Sequence, residues 1–109
     1  MLEGVIDMWL QLRNLQGKTL RTLDRRYPFD VVDVTPTQVI LKLHRTRKQR
    51  RILKDEIVDS FGELKRQGKI SRAKIEDNYS PRNPAYVAAL LSHLEGVTYT
   101  IKPIVLRIG

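Results

Sequence analysis

The stretch with the clearest chemistry is 42–54, KLHRTRKQRRILK, in which seven of thirteen side chains are Lys or Arg and none is acidic. Residues 1–41 carry five basic and five acidic side chains, and residues 55–109 carry eight basic and seven acidic. The stretch therefore supplies almost all of the net charge of +8. A concentrated positive field attracts polyanions, and each Lys or Arg near a phosphate releases a counterion. We expect residues 42–54 to bind nucleic-acid phosphates.

A plainer interpretation is a solvated strand edge, since charged side chains on an edge prevent aggregation. That purpose needs only a few charges, and this stretch carries seven. Arg also outnumbers Lys, which suits bidentate contacts with phosphate. Phosphate binding is therefore the favoured interpretation.

Further candidates lie outside the stretch. Arg72 and Lys74 fall in the first turn of a predicted helix, where cations are unfavourable, and this placement favours a role in phosphate contact. Phosphate contacts set register and affinity but carry no base information, so we expect weak sequence preference unless Asn83 and Tyr86 reach bases. The predicted nucleic-acid-binding residues are Lys42, Arg45, Arg47, Lys48, Arg50, Arg51, Arg72, Lys74, Arg82, Asn83 and Lys102.

Aromatic side chains offer a second kind of contact. Tyr27 and Phe29 flank Pro28, and aromatic rings of single-strand binders stack on bases. Packing in a turn or in the core is the alternative for both rings.

The sequence gives little support for a catalytic site or a metal-binding site. His44 and His93 have no partner at ligand spacing and the chain has no Cys, so no metal or cofactor is expected. Asp30, Asp33 and Lys42 are residue types of a metal nuclease, but a spacing of three on a strand predicts that the two carboxylates face opposite sides. There is no phosphate-binding glycine loop and no serine-nucleophile motif. We expect a non-enzymatic protein without a small-molecule substrate.

The composition bounds the class of protein. A chain of 109 residues with 41% apolar residues predicts one compact domain, 1–109, with sub-modules 1–52 and 53–109. The absence of Cys fits a reducing compartment. The first residues lack a basic start and include Glu3 and Asp7, unlike a signal peptide, and no apolar run reaches the length of a membrane span. We expect a soluble, cytoplasmic protein that binds no membrane.

Hydrophobic periodicity organises the first half into a helix and a sheet. Residues 4–15 predict a helix that is apolar on more than one side, so it buries a side either in the core or against a second copy of the chain. Residues 18–52 predict a small antiparallel sheet of three or four strands, with residues 45–50 at a hairpin tip.

The second half predicts three helices and two strands. Leu53, Ile57, Phe61 and Leu64 form one stripe of a helix over 54–67, which ends at Gly68. Ser71 caps a short helix to residue 79. Asn83 caps a helix over 84–94 that has Pro at its first position, and residues 97–108 predict two strands.

The order of these elements over residues 53–108 resembles the winged helix-turn-helix architecture. That resemblance implies DNA binding, with 84–94 as the recognition helix and 97–108 as the wing. The segment AYVAALLSHL has few of the side chains that read bases, so it either contacts DNA by its N-terminal end, SPRNP, or packs as a central helix. The stretches LQGKTLRTLDRRYPFDVVDV and KISRAKIEDNYSPRNPAYVAALLSHLEGV also resemble uncharacterised small bacterial and phage-type proteins.

The overall prediction is an α+β protein that binds nucleic acid, with duplex DNA favoured. It comprises a small antiparallel sheet with an N-terminal helix, then a three-helix winged-helix-like unit with a C-terminal β-hairpin. A protein-interaction module that docks on an acidic partner is the alternative, because the helices 4–15 and 84–94 are strongly apolar. RNA binding is a further alternative that rests on the same charges.

Overall fold

Each half of the chain contains one antiparallel sheet. A computed structural model describes residues 2–109 and the side chains of residues 4–109. Over this range the chain forms four helices and seven strands in two sheets, which confirms the α+β class. None of these helices has the length and apolar character needed to cross a membrane.

The first half begins with helix α1, Leu2–Arg13, which ends two residues earlier than predicted. Met8, Trp9 and Leu12 are buried, whereas Ile6 and Leu10 are 53% and 50% exposed. The Trp9 indole N–H donates to the Thr35 carbonyl at 2.9 Å, and the Lys54 ammonium lies 5.1 Å from the centre of its ring. Helix α1 therefore buries one side and leaves the opposite apolar side uncovered.

The first sheet has four antiparallel strands, which agrees with the predicted three or four, and they form a meander in the order β1-β2-β3-β4. The strands are β1 Thr19–Arg21, β2 Pro28–Val34, β3 Gln38–Leu43 and β4 Gln49–Leu53. The connection between β3 and β4 is residues 44–48, so Arg50 belongs to a strand and the predicted tip of 45–50 is corrected.

A β-bulge interrupts the pairing of β2 with β3. Val31 pairs with Leu41 and Asp33 pairs with Ile40, so Val32 is the extra residue. The bulge shifts the alternation by one residue, and both Val32 and Asp33 are exposed. The prediction that Asp30 and Asp33 face opposite sides of the strand is therefore wrong.

The second half begins with α2, Lys54–Gln67, whose predicted apolar stripe is buried at Ile57, Phe61 and Leu64. Leu53, predicted as part of the stripe, is the last residue of β4 and is exposed, so that part of the prediction is wrong. The helix ends at Gly68, where φ is 77° and glycine avoids the strain of a left-handed conformation. Strand β5, Lys69–Ser71, follows immediately and was not predicted. The Ser71 side chain accepts a hydrogen bond from the Lys74 backbone N–H, which confirms it as the cap of α3, Arg72–Asn78.

The last elements are α4, Pro84–Ser92, and strands β6, Val97–Thr100, and β7, Val105–Ile108. The three-stranded sheet has the order β5-β7-β6, so β7 lies between β5 and its hairpin partner. The side chains of α4 are apolar around most of its circumference, and those from Val87 to Leu91 are fully buried. One cluster of buried apolar residues includes members of both halves of the chain.

Candidate nucleic-acid interface

The cations of the basic stretch 42–54 divide among four environments, one of which is the start of α2, where Lys54 lies. Strands expose alternate residues, so Lys42 and Arg51 lie on the outer face of the first sheet, and Arg50 lies on the inner face beside Leu41 and Ile52. Arg45, Arg47 and Lys48 lie in the exposed turn. The seven cations therefore do not form one surface.

The turn presents its cations to solvent. It is closed by hydrogen bonds from the Leu43 N–H to the Lys48 carbonyl, 2.9 Å, and from the Arg47 N–H to the Leu43 carbonyl, 2.8 Å. Among the side chains of residues 4–109, no carboxylate lies within 4.0 Å of the charged groups of Arg45, Arg47 or Lys48. These cations keep their charge available for an external anion. We call residues 44–48 together with Lys42 and Arg51 the basic hairpin.

Arg50 makes a structural connection between the two halves. Its guanidinium donates to the Arg82 carbonyl at 3.0 Å and to Asn83 Oδ1 at 3.2 Å, and lies 5.3 Å from the centre of the Tyr86 ring. The first sheet is thus joined to the N-terminal turn of α4. Arg50, predicted to bind phosphate, has its charge directed inward.

Asn83 is part of the same connection and is only 6% exposed. It precedes α4 as predicted, but its side chain makes no capping hydrogen bond. Its amide N–H donates to Glu56 Oε1 at 3.3 Å, and Glu56 also accepts from Ser80 Oγ at 2.6 Å and from the Leu53 backbone N–H at 2.8 Å. We call Arg50, Asn83, Ser80 and Glu56 the buried polar network, and we leave Arg50 and Asn83 out of the proposed binding surface.

The outer face of the sheet carries one engaged carboxylate. Asp30 Oδ1 accepts from Thr19 Oγ1 at 2.6 Å and lies 2.8 Å from His44 Nε2. These hydrogen bonds, that of Thr19 first and that of His44 second, hold the pKa of Asp30 below its ordinary value, and the nearby charge of Lys42 acts in the same direction. Asp30 is therefore an anion next to the basic hairpin and ties β1 and β2 to the hairpin turn.

A cleft of about 790 Å³ collects cations from distant parts of the chain. Three predicted residues line it, Arg45 from the hairpin turn, Arg72 from α3 and Lys102 from the turn between β6 and β7. Arg25 also lines it and was not predicted, and Asp24 is the one carboxylate among the described residues of the lining. We call this space the basic cleft, because four cations line it.

Tyr27 lies in the wall of the basic cleft. The Thr22 side chain, which is buried, accepts from the Tyr27 backbone N–H at 2.9 Å and so shapes the turn between β1 and β2. The Arg45 guanidinium carbon lies 3.9 Å from the centre of the Tyr27 ring, and Arg25 donates a long hydrogen bond of 3.5 Å to the Tyr27 hydroxyl. This hydrogen bond, with the charges of Arg45 and Arg25, lowers the pKa of Tyr27.

The remaining predicted residues are dispersed. Lys74 lines a second, smaller groove with Lys69 and Arg107, and Arg82 is exposed beside α4. Phe29, considered for base stacking, is fully buried and meets the Tyr86 ring edge-on at 5.2 Å. The segment predicted as a recognition helix, 84–94, corresponds to α4, which ends two residues earlier than predicted, at Ser92. Within 84–94 only Ala85, Tyr86, Ser92 and His93 retain appreciable exposed surface.

Arg25 was missed because the candidate residues were chosen mainly by the density of positive charge along the chain, and residues 1–41 have no net charge. The segment DRRY carries both Arg25 and Tyr27, so an aromatic residue beside two arginines was an available signal. Within residues 2–109, no group of three or more His, Asp or Glu side chains comes together in a way that could hold a metal ion.

Comparison with protein-family models, with curated proteins and with solved structures gives no match. The function is therefore inferred from the geometry of this chain alone.

Proposed function

We propose that this protein binds nucleic acid, with duplex DNA as the preferred form, through the phosphate backbone and without catalysis. The observation that carries the proposal is the basic hairpin, in which Arg45, Arg47 and Lys48 are exposed and have no carboxylate partner among the described side chains. Lys42 and Arg51 add two exposed cations on the adjoining sheet face. Such contacts determine affinity and orientation, and they predict weak dependence on base sequence.

We also propose that residues 53–108 form a winged-helix-like unit. In support, a helix, a short strand, two helices and a hairpin follow one another from α2 to β7, and β5 pairs with the hairpin strand β7. Winged helices commonly place their third helix in the major groove. Here Phe29 and Arg50 of the first sheet lie against Tyr86 near the start of that helix, α4. We therefore assign the nucleic-acid contacts to the basic hairpin rather than to α4.

The test is the double variant Arg47→Glu with Lys48→Glu, measured by fluorescence anisotropy of a labelled random duplex over a series of salt concentrations. We expect weaker binding and a salt slope reduced by about two, since each phosphate contact contributes about 0.9 to the slope. Arg50 is unsuitable for this test because its replacement would also disturb the buried polar network.

The matched control is Lys65→Glu with Arg66→Glu, which makes the same change in net charge at two exposed positions of α2. We expect the control to retain nearly the wild-type salt slope. Equal binding by the hairpin variant and the wild type would show that the hairpin is not the site. Competition among duplex DNA, single strands and structured RNA then tests the preference for duplex DNA.

A protein-interaction module is the second candidate function. Ile6 and Leu10 are about half exposed and are separated by four residues, so they are neighbours on the uncovered side of α1. This face would bind a partner protein or a second copy of the chain. Sedimentation at high salt distinguishes the two functions, since an apolar complex persists when phosphate contacts are screened.

A further inference from the structure

The basic cleft has the size of a small-molecule pocket. Its volume of about 790 Å³ lies within the range of roughly 300–1,000 Å³ that encloses a small ligand. The cleft therefore suits one or two unpaired nucleotides.

The charge of the cleft suits phosphate. Among the side chains of residues 4–109, four cations line the cleft, Arg25, Arg45, Arg72 and Lys102, and one carboxylate, that of Asp24. Arg72 is partly neutralised by Glu76, which accepts from its guanidinium at 3.1 Å. The other three cations have no carboxylate within 4.0 Å among the side chains of residues 4–109.

The cleft also offers surfaces on which a base can stack. Unpaired bases stack on tyrosine rings and on guanidinium planes, and Arg45 already lies over the Tyr27 ring within the lining. Tyr86 is held in place by the edge contact with Phe29 and by Arg50. Ala73 and Ala85, whose side chains are small, also line the cleft.

We propose that the basic cleft receives an unpaired nucleotide at the end of a strand whose duplex portion lies on the basic hairpin. The inference rests on the proposed function and adds its substrate, a duplex with a single-stranded overhang. Arg45 links the basic hairpin to the basic cleft, because it belongs both to the exposed turn and to the lining of the cleft. A strand that follows the hairpin phosphates is thereby led towards Tyr27 and Lys102.

The experiment compares three labelled probes by anisotropy: a blunt duplex, the same duplex with a short single-stranded overhang, and that overhang made abasic. Overhangs of both polarities are used. We expect the overhang to improve affinity roughly tenfold for each stacked base, and the abasic overhang to lose most of this gain. The double variant Arg72→Gln with Lys102→Gln should lower the ratio of overhang to blunt affinity, because it removes two cations that contact the overhang phosphates and leaves the stacking side chains in place.

The hairpin variant Arg47→Glu with Lys48→Glu separates the two proposals, since it should weaken binding of blunt and overhang probes alike. Equal affinities for overhang and blunt probes, with both weakened by the hairpin variant, would overturn the cleft proposal and leave the proposed function standing. An abasic overhang that binds as well as the normal one would also overturn it, because phosphates alone would explain the gain. Absence of binding to every probe would overturn both proposals.

Discussion

The inner and outer faces of strand β4 place two neighbouring arginines in opposite roles. Arg50 on the inner face is half-buried and donates to the Arg82 carbonyl and to Asn83, whereas Arg51 on the outer face is exposed. Both carry the same charge and differ by one position in the chain. The number of basic residues in a stretch of sequence is therefore only the largest number that could bind a ligand. Strand pairing and burial decide which of them are used inside the fold and which remain exposed for binding.

The largest effect is expected in the buried polar network behind the inner face, at Glu56 of α2. Replacement by Ala removes the acceptor of the Ser80 hydroxyl and of the Asn83 amide, and Ser80 is fully buried. Unsatisfied buried groups cost about 1–3 kcal/mol each, so we expect a loss of about 3 kcal/mol in the free energy of unfolding, measured by urea denaturation. The control Asp59→Ala removes an exposed carboxylate of the same helix and should change the stability little. Equal losses in the two variants would mean that the buried polar network does not stabilise the fold.

The next largest loss of stability is expected for replacement of Arg50. Arg50→Ala removes the donor to Asn83 Oδ1 and the contact with the Tyr86 ring, and we expect a loss of about 2 kcal/mol in unfolding free energy. Arg51→Ala should stay within about 0.5 kcal/mol of the wild type, as is usual for an exposed position. Urea denaturation of the two variants side by side is the measurement. Similar stabilities would contradict the assignment of Arg50 to a structural role.

A smaller effect is expected for Arg51 in binding. Arg51→Ala should reduce the salt slope of duplex binding by about one while weakening all duplex sequences uniformly, as loss of a single phosphate contact does. The measurement is anisotropy with several unrelated duplexes. A slope identical to that of the wild type would exclude Arg51 from the binding surface and confine that surface to the turn.

The smallest expected effect is a pH dependence of stability that Asp30 causes on the outer face of the first sheet. The pKa of Asp30 is lower in the folded chain, so its carboxylate stabilises the fold above its unfolded pKa, and this contribution is lost as pH falls through the folded pKa. We expect wild type to exceed Asp30→Asn in stability at neutral pH, and the difference to shrink below about pH 4. Thermal denaturation over a pH series is the measurement, with Asp33→Asn on the same strand as control. A difference that does not change with pH would contradict the role given to the hydrogen bonds of Asp30.

Local patterns predicted most of the helices. The range 54–67 and the caps at Gly68 and Ser71 agree with the structure, because the apolar stripe and the turn residues act within a few positions of one another. Strand β5 was missed since its three residues acquire strand geometry only by pairing with β7. The bulge at Val32 was missed for a similar reason, because it depends on the register with β3.

In the candidate site, too, one part could be predicted from a local sequence pattern and another part could not. Period-two alternation from Leu41 and Ile52 would have placed Arg50 inward, so that signal was present and was not used. The basic cleft, in contrast, joins Arg25, Arg45, Arg72 and Lys102, which are separated by up to 77 positions. Their proximity results from the packing of the two halves of the chain on each other, which no local sequence pattern shows.

The contacts of Trp9 have a practical consequence. It is the only tryptophan of the chain, and its ring joins α1 to the Thr35 turn and to Lys54 at the start of α2. Its fluorescence emission is therefore an internal reporter of the docking of α1 on the rest of the fold. Release of α1 would move the indole into water and shift its emission to longer wavelength, while circular dichroism would report the helices and sheets separately.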